Sequence, residues 1–240
     1  MMKKSGEVLR YLRLPDQVFG EGIALVNDHL YQLTWKAQTA FRFNLSAFTE
    51  GAKLEASTLS YEGEGWGLCY DDTNLWMSNG SDTLAIRDPE TFEVVDTRQV
   101  TLDGVPLGQL TTAPEATAEV SAQASTPTPA YSGPRLDQLN ELECVGDSIY
   151  ANVWLTDYIF RIDKATGAIT GWIDATGLLT AEEQAAAKEM NGIVYLPDSD
   201  TFLVTGKYWP KMFEVNFIPA AQRDSSAAES ATPSPQSPGN

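Results

Sequence analysis

A single histidine, His29, and two cysteines, Cys69 and Cys144, in a chain of 240 residues leave few chemistries open. Zinc sites rich in histidine, Ser-His-Asp and Cys-His nucleophiles with an independent helper, and haem held by paired histidines are all excluded. His29 follows Asn27-Asp28, a turn signal, where an exposed position is expected. The cysteines form one disulfide or none; each lies inside an apolar, strand-like run, which favours two buried free thiols. Basic residues are scarce: 16 Lys and Arg stand against 33 Asp and Glu, a net charge of −17. That balance argues against nucleic acid and anionic membrane surfaces as partners. It is compatible with an amine-bearing substrate, although solvation alone explains most such charge. No apolar run approaches the ~20 residues that span a bilayer. The basic opening Met1-Met2-Lys3-Lys4 has no apolar stretch behind it, so no signal peptide is expected in this chain. Chemistry here must therefore come from carboxylates, amides, lysine and aromatic rings.

Internal repetition is the main positive signal. Segments starting near Gly22, Gly65, Leu142 and Gly192 each read as an apolar run, a turn and a second apolar run. The turns are Asn27-Asp28, Asp71-Asp72, Gly146-Asp147 and Pro197-Asp198, so each segment predicts a β-hairpin. A second hairpin follows: Tyr158 to Asp163 with Ala168 to Trp172, Thr83 to Arg87 with Phe92 to Val95, and one opened by Phe41 to Asn44. Four strands per unit, repeating roughly every 45–50 residues once 111–135 is set aside, is the arithmetic of a β-propeller. The expected fold is all-β, a five-bladed propeller type with an incomplete first blade, in which 6–14 supplies a single leading strand. The whole forms one domain over 1–220. The Ala, Thr, Pro and Ser-rich stretch 111–135 is expected to be a flexible insertion, and 221–240 a disordered tail. Thr180 with Glu183 predicts a capped helix running into the alanines that follow.

Polar and aromatic residues recur at the ends of the first strand pair of each unit, the position facing a propeller's channel. They include Phe19, Glu21, Trp35, Glu62, Glu64, Trp66, Asn140, Glu141, Glu143, Trp154, Lys207 and Trp209. Singly each has an ordinary explanation: core indoles for Trp35 and Trp154, a turn acid for Glu21, a turn cap for Asn140, an edge lysine for Lys207. Recurrence at equivalent places points to a small-molecule pocket lined by indoles, with convergent Glu, Asn and Lys.

The motifs Phe19-Gly-Glu-Gly22, Tyr31-Gln-Leu-Thr-Trp35-Lys36, Gly63-Glu-Gly-Trp66-Gly-Leu68 and Asp88-Pro-Glu-Thr-Phe92 occupy the first half of the chain. Leu139-Asn-Glu-Leu-Glu143, Tyr150-Ala-Asn-Val-Trp154, Met190-Asn-Gly-Ile193 and Thr205-Gly-Lys-Tyr-Trp-Pro210 follow. With these the chain resembles the plant-type glutaminyl-peptide cyclotransferases, five-bladed propellers of plants and bacteria. The resemblance implies cyclisation of an N-terminal glutamine to pyroglutamate with release of ammonia, on peptide or protein substrates. It assigns Glu21 as proton shuttle, and Lys207, Asn140 and a tryptophan indole as donors to the developing oxyanion. Phe19, Trp35, Trp66 and Trp154 become pocket walls, and Glu64 binds the substrate amine or assists Glu21. It also implies a secreted or periplasmic location; the chain is expected to act as a monomer, with no cofactor and no obligatory metal. The family's Phe-Thr-Gln-Gly segment of the first blade has no counterpart here. Two other readings remain: a non-catalytic propeller that binds peptides or proteins through the channel, and a calcium-dependent lactonase-like propeller using Glu21, Glu64 and Glu143.

Overall fold

The structure is a computed structural model that describes residues 13–45, 56–110 and 135–218. It is all-β and consists of blade-like antiparallel sheets arranged as a propeller. The first blade is β1 (Gly20–Val26), β2 (His29–Thr34), β3 (Thr39–Asn44) and β4 (Ala56–Ser60); the second is β5 (Leu68–Tyr70), β6 (Leu75–Met77), β7 (Thr83–Arg87) and β8 (Val94–Gln99). A small hairpin, β9 (Thr101–Leu102) and β10 (Val105–Pro106), follows. The third blade is β11 (Leu139–Val145), β12 (Ser148–Val153), β13 (Tyr158–Asp163) and β14 (Ile169–Asp174). The last sheet holds three strands among the described residues: β15 (Met190–Leu196), β16 (Thr201–Gly206) and β17 (Phe213–Val215). Each sheet is a meander, strand pairing with the next in sequence, as the hairpin pattern requires. The turns carry the expected chemistry: Asp88 Oδ1 accepts from the N–H groups of Glu90 and Thr91, and Asp163 Oδ1 from that of Thr166. Both acids thereby close their loops as side-chain mimics of a backbone turn.

The cores lie between blades. Ala24, Val26, Tyr31 and Leu33 pack with Leu68, Leu75, Met77 and Phe92 between the first two. Trp76, Leu84 and Ile86 meet Leu139, Leu142, Ile149 and Phe160 between the second and third. Ile159 joins Met190, Ile193, Phe202 and Val204 between the third and last. Strand alternation explains the arrangement, since Ala24 and Val26 are buried against the second blade while Ile23 and Leu25, pointing the other way, are 51% and 55% exposed. Val194, on the outward side of the last sheet, is exposed likewise.

Three expectations need correction. Cys69 and Cys144 form a disulfide and are not free thiols; their Cα atoms are 5.5 Å apart across 75 residues of sequence. They sit on β5 and β11, the innermost strands of neighbouring blades, which only the propeller arrangement brings side by side. His29, expected to be exposed, is half-buried at the start of β2, paired opposite Asn44. The helix after Thr180 is only α1 (Ala181–Gln184), although the capping box is present with both reciprocal bonds. The chain turns off because Lys188 is drawn to the last sheet, its N–H donating to Lys207 O at 2.9 Å. The expected leading strand, insertion and tail fall wholly or mainly outside the described residues; Arg13 and Leu14 are not in a strand.

Candidate active site

One irregularity recurs in the innermost strand pair. In the first blade Gly20 pairs with Thr34 and Ile23 with Gln32, so Glu21 and Gly22 together oppose Leu33. In the third, Asn140 and Glu141 oppose Asn152; in the last, Asn191 and Gly192 oppose Thr205. The second blade does the same just before β5. There Trp66 N–H donates to Ser78 O, Ser78 N–H to Gly67 O, and Gly67 N–H to Ser78 Oγ. Such bulges bend a strand and re-aim its side chains. They also set the blades in register: Glu21, Trp66, Asn140 and Asn191 are equivalent.

Glycine at the second bulge position has a packing reason. A Cβ on Gly22 would lie 2.7 Å from Leu68 N and Trp66 O, and one on Gly67 would collide with Asn140 O. Neighbouring backbones therefore close against each other at the axis, and Gly22 N–H donates to Trp66 O at 2.7 Å. The third blade departs from the pattern, with Glu141 where the others have glycine.

The same register places Phe19, Glu64, Gln138 and Glu189 two residues ahead of each bulge. Their partners across the strand pair are Trp35, Gly80, Trp154 and Lys207. The backbone bonds Trp35 N–H to Phe19 O, Trp154 N–H to Gln138 O and Lys207 N–H to Glu189 O fix three of these pairs at 2.9–3.0 Å. Phe19 stands edge-on to Trp35, with ring centroids 6.4 Å apart.

Glu64 is the centre of one cluster. Its Oε2 accepts from the indole N–H of Trp35 at 2.7 Å and of Trp66 at 3.0 Å, while Lys36 Nζ lies 3.5 Å from Oε1. The Trp66 hydrogen bond above all, with that of Trp35 and the charge of Lys36, holds its pKa below the usual carboxylate range against the cost of burial. Trp66 in turn meets Trp154 edge-on at 5.5 Å. Glu189 is the centre of a second cluster, its Oε1 3.1 Å from Lys207 Nζ. Burial raises its pKa, but its own backbone N–H, Lys207 and the Trp154 indole outweigh that and leave it lowered. Two wall indoles, those of Trp35 and Trp66, thus donate to Glu64, and the Trp154 indole lies near Glu189 and favours its charged form.

Glu21 is in the opposite state. It is half-buried in the bulge, and no described residue donates to its carboxylate. Burial raises its pKa and Glu64 adds to the rise, while Lys207 opposes it. Asn140 is 5% exposed, and its Oδ1 is buried without a hydrogen-bond partner among the described residues. Its main-chain oxygen accepts from Ser78 Oγ at 2.7 Å, which locks the bulge. Glu141 keeps a little exposed surface but is otherwise wrapped by protein atoms. That burial, with Glu143 and then Glu21 nearby, pushes its pKa up to about 8. Glu143 reaches the last blade, its Oε1 accepting from Tyr195 N–H at 2.9 Å, and so is not a channel acid.

The structure therefore gathers Glu21, Glu64, Trp35, Trp66, Asn140, Trp154 and Lys207 at one end of the channel, with Phe19 at its margin. Glu141, expected at a channel-facing strand end but given no role there, and Glu189, not singled out from the sequence, join them. Glu141 was detectable as an acid in a glycine position; Glu189 as the counterpart of Glu64 once the blades are aligned. Among the described residues no group of three acidic, histidine or cysteine side chains could hold a metal ion. An apolar cleft of about 400 Å³ lies elsewhere, between the third and last blades, lined by Trp172, Ile173, Leu178, Val215 and Phe217.

The family model described as glutamine cyclotransferase matches residues 1–123 and 122–217. A curated glutaminyl-peptide cyclotransferase of Arabidopsis thaliana is 28% identical over 229 residues, covering 94% of this chain and 61% of the relative. The chain thus spans less than two thirds of that protein's length. The crystal structure of Myxococcus xanthus glutaminyl cyclase superposes with a TM-score of 0.61 at 34% identity, over 83% of this chain and 72% of that one.

Proposed function

The chain belongs to the glutamine cyclotransferase family, and on that premise we propose that it converts an N-terminal glutamine of peptides or proteins to pyroglutamate, with Glu21 moving the proton. The observation that carries this reading is the contrast between two carboxylates. Glu64 is held charged by two indole N–H groups and serves to fix the pocket walls. Glu21 is desolvated, raised in pKa and without a donor of its own. Environments that push two neighbouring acids apart separate the proton carrier from the fixed charge.

The neutral α-amine attacks the side-chain amide carbon, forming the ring N–C bond. Glu21 accepts the proton from that nitrogen and returns it to the leaving amide nitrogen, so that the C–N bond breaks and ammonia departs. Lys207 and the Asn140 amide donate to the oxygen that becomes negative in between, a role worth about 10²–10³ in rate per donor in comparable sites. Trp35, Trp66, Trp154 and Phe19 hold the folded-back substrate and exclude water. No metal or cofactor enters these steps.

The domain is a single propeller over residues 1–220, of the five-bladed type with an incomplete first blade; the exposure of Ile23 and Leu25 on the first described sheet and of Val194 on the last supports an open join between them. It acts as a monomer. The Cys69–Cys144 disulfide supports a location outside the cytoplasm, where thiols are not kept reduced. Mass spectrometry of a glutamine-initiated peptide incubated with the protein tests the function. Loss of one ammonia faster than in a blank, and abolished in Glu21→Gln, is the expected result; a folded protein that leaves the peptide intact rejects it.

A further inference from the structure

The turns joining the second and third strands of each blade ring the end of the channel that holds Glu21 and Lys207. Their first residues, each directly after Trp35, Gly80, Trp154 or Lys207, are Lys36, Ser81, Leu155 and Tyr208. Two of these four are unusual in the same way. Leu155 has φ +62° and is 62% exposed; Tyr208 has φ +59° and is 77% exposed. Bulky residues rarely adopt that conformation, and where they do the surroundings must enforce it.

The turns are enforced by their neighbours. Thr156 donates to Val153 O through both its N–H, at 3.1 Å, and its hydroxyl, at 2.8 Å, and accepts from Tyr158 N–H at 3.0 Å. Trp209 donates its N–H to Gly206 O at 3.2 Å and its indole N–H to Lys188 O at 2.9 Å. Leu155 and Tyr208 take no part in these bonds and join none of the three apolar cores. Leu155 belongs to the third blade, which has a neighbour on each side, so its exposure belongs to the channel mouth and not to an uncovered face. On the other side of the mouth Lys36 is folded down over Trp35, 4.0 Å from the ring centroid. The mouth is therefore polar on one side and apolar on the other.

Glycine would satisfy both backbones without strain, yet large apolar side chains stand there in solvent. We propose that Leu155 and Tyr208 form the subsite for the side chain that follows the N-terminal glutamine, and that they favour a large apolar or aromatic residue there. The inference rests on the cyclisation reading above. With the glutamine folded into the pocket, the peptide leaves through the mouth, and its second residue is the first to meet the rim.

The test compares kcat/KM for peptides starting Gln-Phe, Gln-Leu and Gln-Gly in the wild type and in Leu155→Gly, Tyr208→Gly and the double variant. Glycine suits the positive φ at both sites, so the variants are expected to melt no lower than the wild type. The wild type is expected to favour Gln-Phe over Gln-Gly by about tenfold or more, the worth of an apolar subsite contact. In the double variant the ratio is expected to fall towards one, through a rise in KM for Gln-Phe. A wild type indifferent to the second residue, or a ratio unchanged in the double variant, overturns the inference while the activity stands. Failure of the wild type to cyclise any of the three peptides overturns the cyclisation reading, and this inference with it.

Discussion

The Trp66 ring occupies the space where a side chain at residue 80 would begin: a Cβ on Gly80 would stand 2.6 Å from Trp66 Cζ2. Residue 80 is the counterpart of Trp35, Trp154 and Lys207, so the second blade contributes its indole from the bulge and not from the strand end. Gly80 also has φ +78°. Gly80→Ala is expected to displace Trp66 from Glu64 and to destabilise the fold by about 1–3 kcal/mol through strain and overpacking. Thermal melting reads the second effect, and the altered indole N–H resonance of Trp66 reads the first.

Glu189 pairs with Lys207, its Oε1 3.1 Å from Nζ, and the nearby Trp154 indole also favours its charged form. Glu189→Gln is expected to lower kcat/KM by about tenfold, the scale of one charge-assisted hydrogen bond. In a Lys207→Ala background the same substitution should cost much less, because the two residues act as one unit. Equal losses in the two backgrounds would show that Glu189 contributes only to folding.

In the proposed mechanism Glu21 must be ionised to accept the proton, and burial raises its pKa above that of an ordinary glutamate. The acid limb of the kcat/KM profile is therefore expected above the ordinary carboxylate range. Lys207 favours the charged form of Glu21, so the residual activity of Lys207→Met should show that limb moved to higher pH. A limb that stays in place would separate Glu21 from the observed titration.

Glu141 carries a stability prediction. Its folded pKa, about 8, lies above the ordinary 4.5, so the fold prefers the neutral acid. Stability from this group is complete at pH below 4.5 and is lost as pH rises through about 8. Glu143 and Glu21 are the charged groups that oppose its ionisation. Glu141→Gln should remove this pH dependence and stabilise the protein at pH 8 by on the order of 2 kcal/mol, about 4–8 °C in Tm. Melting curves at pH 5 and pH 8 check it: a gain that is equal at both would refute the raised pKa.

The blade meanders were legible because alternation and turn chemistry are local: Asp88 and Asp163 close the turns their spacing predicts. The site residues were legible as recurrent types at strand ends, and Glu21, Asn140 and Lys207 do lie at one end of the channel. Their division of labour was not. Glu21 and Glu64 read alike in sequence, each an acid between glycines, and only the packing desolvates one and surrounds the other with indole N–H groups.

Other features depend on residues far apart in the chain. The Cys69–Cys144 disulfide requires β5 and β11 to be neighbours, and glycine at 22 and 67 is needed only because another blade's backbone arrives there. Glu189 matters through Lys207 and Trp154, which lie on two blades. The sequence by itself determined which strands form and which side chains stand at their ends, since those follow from neighbours two to ten residues away. Only the tertiary structure decided which of those side chains are charged, which are spoken for and which remain available, because burial and hydrogen bonding depend on how the blades close around the axis.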